Sequence, residues 1–104
     1  MKPARRLLLQ PLDGALVSRP PLLAWRAVRN AKYYNVQLFR GRTKLISRWP
    51  DRPRFRLASS WTFGGKPRSL GPGVYVWYVW PAFGNRGDGQ YGKLLGRSVF
   101  VVKR

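Results

Sequence analysis

The chain contains no cysteine, no histidine and no glutamate, and its only carboxylate side chains are Asp13, Asp51 and Asp88. Without cysteine no disulfide can form, and the usual compositional sign of a redox compartment is missing. Without histidine and cysteine there is no triad base, no thiolate nucleophile and no nitrogen or sulfur metal ligand. The three aspartates lie in separate turn-like stretches beside Gly, Pro or Arg, where an aspartate ordinarily bonds local backbone amides. These absences predict a non-enzymatic protein with no cofactor and no metal site. Long apolar runs are lacking too. Leu7-Leu8-Leu9, closed by Gln10 and Pro11, is too short for a signal-peptide core, and no later stretch could span a bilayer. No segment of helical length carries an amphipathic period with a cap at each end, so no glycine loop leads into a helix that could hold phosphate.

What is present bounds the rest. The chain has 104 residues, 44% of them apolar and 14% aromatic, enough for one domain, taken as residues 5–103, that buries a core without a staple. Lysine and arginine number 21 against three acidic residues, a net charge of +18. Such a chain attracts polyanions: nucleic acid, acidic polysaccharide or an anionic surface. The cations run from Arg5 and Arg6 to Arg104 without forming a single tail, which favours solvated strand faces over a dedicated basic arm.

The apolar runs are short, β-branched or aromatic, and separated by glycine and proline, the pattern of an all-β chain. The first strand is read over Leu7–Gln10 and Ala15–Val17, broken at Pro11-Leu12-Asp13-Gly14. Further strands are read over Leu22–Val28, Tyr33–Arg40, Lys44–Trp49, Phe55–Leu57, Val74–Trp80 and Ser98–Lys103. The stretch Trp61-Thr62-Phe63-Gly64-Gly65 reads as irregular. About seven short strands at this spacing predict a two-sheet antiparallel β-sandwich, with a small barrel as the competing architecture. The period of two puts Leu23 and Trp25 on one side of their strand, Tyr34, Val36 and Leu38 on one side of theirs, and Tyr75, Trp77 and Val79 on one side of a third. Those sets form the expected core.

Two segments resemble a known family. Leu23-Ala24-Trp25-Arg26-Ala27-Val28 followed by Tyr33-Tyr34-Asn35-Val36 resembles strands B and C of fibronectin type III domains, where a strand-B tryptophan precedes a Tyr-x-Val strand. Leu70-Gly71-Pro72-Gly73-Val74-Tyr75-Val76-Trp77 resembles the family's E–F corner and strand F. The resemblance implies an immunoglobulin-like sandwich in which the Tyr75 hydroxyl braces the corner at Leu70. It also implies an interaction or spacer module of a larger secreted or cell-surface protein, with neighbouring domains in the parent chain and an extracellular or cell-envelope location. Pro81, where the family has a small residue, and the stretch Phe55–Ser69 depart from the pattern.

With Trp77 inward, Tyr78 and Trp80 point outward near Tyr33, Gln37 and Trp49. Exposed aromatics beside amides suit a protein or carbohydrate partner, so Tyr33, Gln37, Tyr78 and Trp80 are the candidate binding residues. Arg86-Gly87-Asp88 lies where the integrin-binding member of the resembled family carries its tripeptide, and such a loop can present an aspartate to a metal held by the partner. Chance in an Arg- and Gly-rich loop explains it more simply. The alternative function is binding of nucleic acid or acidic polysaccharide through the basic surface, with aromatics available for stacking.

Overall fold

The computed structural model describes residues 6–103; Arg5, the expected start of the domain, and Arg104 lie outside the described residues. The described residues form ten strands: β1 (Leu8–Gln10), β2 (Ala15–Val17), β3 (Leu22–Trp25), β4 (Tyr33–Arg40), β5 (Thr43–Arg48), β6 (Arg54–Arg56), β7 (Ser60–Phe63), β8 (Lys66–Ser69), β9 (Gly73–Ala82) and β10 (Gly96–Val102). They form a three-stranded sheet, β1-β3-β6, a five-stranded sheet, β2-β10-β9-β4-β5, and the separate hairpin β7-β8. Among the described residues no helix is long and apolar enough to cross a membrane.

The count of about seven strands is corrected to ten, for two local reasons. At Pro11–Gly14 the chain changes sheets. Strand β1 pairs antiparallel with β3, whereas β2 pairs parallel with β10. The Asp13 carboxylate fixes that change by accepting the Val99 N–H at 2.9 Å, and Gly14 donates its own N–H to the Val99 carbonyl. The second reason is Gly64-Gly65. Both glycines have positive φ, 62° and 74°, as a two-residue hairpin turn requires, and they join β7 to β8 with Phe63 opposite Lys66. A smaller correction applies to the second strand, which ends at Trp25. Beyond it the Val28 N–H is taken by the Tyr34 hydroxyl at 2.9 Å, and Asn30 turns the chain at φ 70°.

One core joins the two larger sheets, an arrangement consistent with a β-sandwich. Leu23 and Trp25 enter it from the three-stranded sheet; Tyr34, Val36, Leu38, Tyr75, Trp77, Val79 and Phe100 enter from the five-stranded sheet. All are buried. Trp25 meets Tyr34 edge-on at 5.4 Å and Trp77 at 6.2 Å, while Tyr75 stacks on Phe100 at 5.5 Å. The Tyr75 hydroxyl donates to the Gly71 carbonyl at 2.7 Å, tying the head of β9 to the turn before it. The hairpin is fastened through Trp61, which packs against the core and whose Nε1 donates to the Leu45 carbonyl at 2.7 Å.

Pro81 is tolerated inside β9 for a geometric reason. Its carbonyl accepts from Gly92, on the side away from β4. A strand residue's N–H and C=O point the same way, so the missing donor faces the loop and costs no ladder bond with β4.

Candidate functional site

The register of the five-stranded sheet determines which side chains face away from this core. Cross-strand neighbours share a face. Leu16, Val101 and Val74 therefore make one row; Val99, Val76 and Phe39 a second; Arg97, Tyr78, Gln37 and Ser47 a third; Trp80 and Asn35 a fourth. Most of these side chains are half-buried by their neighbours, and Leu16 and Val74 are 66% and 55% exposed. The result is an apolar sheet face with cations set into it. Lys44 Nζ lies 5.8 Å from the Phe39 ring, and Arg97 stands opposite Tyr78.

Of the expected binding residues, Tyr78, Trp80 and Gln37 are on this face together. Tyr78 meets Phe39 edge-on at 5.5 Å and stacks with Trp80 at 6.0 Å. Gln37 donates to the Asn35 side-chain carbonyl at 2.6 Å, and Asn35 donates onward to Ser47 Oγ and the Arg48 carbonyl. The amides therefore form a fixed polar strip beside the aromatics.

Tyr33 is different. Expected among the exposed aromatics, it is only 3% exposed, because the loop after β9 folds back over it. Tyr91 packs edge-on at 6.2 Å, and the Arg86 guanidinium lies over the ring at 4.7 Å. Burial, together with the neighbouring Tyr91 hydroxyl, pushes the Tyr33 phenol above its ordinary value; Arg86 opposes the shift. Residues of the Arg86-Gly87-Asp88 tripeptide are engaged with their own fold. Arg86 donates to the Trp49 carbonyl at 2.9 Å, and the Asp88 carboxylate accepts the Asn85 N–H at 3.0 Å.

This loop, with Tyr33 and Trp49, encloses a cleft of about 370 Å³ lined by Tyr33, Trp49, Arg86, Gly87, Gly89 and Tyr91. Trp49 and Tyr91 are 46% and 42% exposed, and Trp49 Nε1 donates to the Tyr91 hydroxyl at 2.9 Å. Tyr91 is the lining residue that sequence reasoning missed; a lone tyrosine in a Gly-rich loop carries no periodicity. The outward valines of β10 were passed over as well, although Val99 and Val101 alternate with buried Phe100 and Val102 in a strand apolar on both faces. Among the described residues no three acidic side chains gather as a metal site would need. Compared with known proteins, the chain matches no family model, no curated protein and no solved structure.

Proposed function

We propose that the chain is a non-enzymatic, fibronectin type III-like interaction or spacer module of a larger secreted or cell-surface protein. Its outer sheet face docks a protein partner whose apolar contact surface is rimmed with acidic groups. The resemblance in strands B, C and F is supported by the place of Trp25 in the core and by the bond from the Tyr75 hydroxyl to Gly71. The binding role is carried by one observation: the Phe39, Tyr78 and Trp80 cluster stands on an apolar face studded with Lys44 and Arg97. Aromatic anchors within a cationic setting are what hot spots for an acidic partner are made of.

Self-association is the weaker use of that face, since two copies bring +18 each into contact. Affinity selection from a displayed peptide library on the folded chain tests the reading. Selected binders should be rich in acidic and aromatic residues. Replacing Tyr78 and Trp80 together with serine should cost them about tenfold or more in affinity while the protein stays folded. Binders indifferent to that double substitution would refute a docking role for the face.

Binding of polyanions is the second reading. Its support is the surplus of 21 lysines and arginines over three aspartates, a net charge of +18. Retention on heparin and on single-stranded DNA, compared across salt, separates it from the first. A generic basic surface treats both polymers alike and loses both steeply with salt.

A further inference from the structure

The cleft between Trp49 and Tyr91 borders the sheet face at Tyr33, one row beyond Trp80 and Asn35, and its chemistry differs from that of the Phe39, Tyr78 and Trp80 cluster. Two half-exposed aromatic rings form its walls, held relative to each other by the bond from Trp49 Nε1 to the Tyr91 hydroxyl at 2.9 Å. Tyr33 supplies the base. Arg86 sits above that base at 4.7 Å, with one N–H given to the Trp49 carbonyl. A guanidinium carries five N–H donors, so a fork remains for a ligand. Gly87 and Gly89 bring bare backbone to the rim, both at positive φ, 91° and 68°. At about 370 Å³ the cleft falls within the size range of small-ligand sites, roughly 300–1,000 Å³.

We infer that this cleft binds one unit of an acidic polysaccharide, a sugar ring that itself bears a carboxylate. The C–H face of a pyranose lies flat against an exposed aromatic ring. Its hydroxyls meet the Tyr91 hydroxyl and the glycine backbone, and its carboxylate takes the Arg86 fork. The decisive feature is compactness. Arg86 covers Tyr33, and Tyr33 adjoins Tyr91, so charge and stacking surface lie about one ring apart. In a uronic acid the carboxylate is attached to the ring that stacks. In a nucleotide a whole sugar separates phosphate from base, and a single-stranded nucleic acid fits this spacing less well. The net charge of +18 then concentrates the anionic chain around the site.

The inference rests on the reading of the chain as a binding module, at a cleft whose lining includes neither Tyr78 nor Trp80. Calorimetric titration with a hyaluronan hexasaccharide at physiological salt tests it. A neutral chitin hexasaccharide and an oligothymidylate of matched charge serve as comparisons. Hyaluronan should bind about tenfold or more tightly than either. Trp49→Ala and Tyr91→Ala should each remove most of that affinity with the melting temperature little changed, and Arg86→Gln should erase the preference over chitin. Tyr78→Ser with Trp80→Ser should leave hyaluronan binding intact, so failure of the sheet-face reading and failure of this one are distinguishable. Equal binding of oligothymidylate, equal binding of chitin, or hyaluronan affinity unmoved by the Trp49 and Tyr91 variants would each overturn the inference.

Discussion

Trp25 and Tyr33 show what a residue-level pattern can and cannot reveal. Trp25 shares one side of a short strand with Leu23, and period two sends both inward, where Trp25 meets Tyr34 and Trp77. Tyr33 obeys the same alternation and sits on the outer face. It is buried all the same, because Arg86 and Tyr91 arrive from a loop more than fifty residues later in sequence. Periodicity carries no information about what a distant loop will cover.

The Tyr33 phenol provides a pH prediction. Its folded value is raised, so the folded protein holds that proton to higher pH than the unfolded chain does. The associated stability is full below the ordinary phenol value and is lost as pH rises through the folded one. An ultraviolet titration should find Tyr33 ionising above the ordinary phenol range. Arg86→Gln should delay it further, since Arg86 favours the phenolate. Removing the hydroxyl brace at the other end of the sheet tests a different bond. Tyr75→Phe should destabilise the fold by about 1–2 kcal/mol, read as a lower urea midpoint at unchanged slope.

At the scale of elements, strands β4, β9 and β10 were readable because each is long enough to show its alternation. The hairpin β7-β8 was not. Its Gly64-Gly65 turn is a hairpin signal, but Pro67 in the second arm argues against a strand, and only an arm that needs no further partner accepts it. The hairpin pairs with neither larger sheet and is pinned by Trp61. Trp61→Phe should therefore speed amide exchange across residues 60–69 by roughly tenfold while β9 keeps its protection. Uniform loss of protection in both elements would mean that the hairpin is integral to the core.

On the scale of the whole molecule, an apolar outer face and a net charge of +18 act in opposition. Charge repulsion keeps copies apart at low ionic strength, and salt screens it within about 10 Å at 0.1 M. Sedimentation velocity should find monomer at low salt and increasing self-association as salt rises. The Tyr78→Ser, Trp80→Ser protein should remain monomeric throughout. Association that persists in that variant would place the sticky surface elsewhere.

Underlying each of these expectations is the proposed division of labour, in which the inner faces fold the protein and the outer face of the five-stranded sheet serves a partner. Urea unfolding of two variants side by side tests that division most directly. Trp25→Ala should lose about 3–5 kcal/mol, a large part of a total near 5–15 kcal/mol. Tyr78→Ser with Trp80→Ser should lose about 2 kcal/mol or less, the worth of cross-strand pairs on a half-exposed face. Comparable losses from the two proteins would contradict the account, because the outer aromatics would then be part of what holds the fold together.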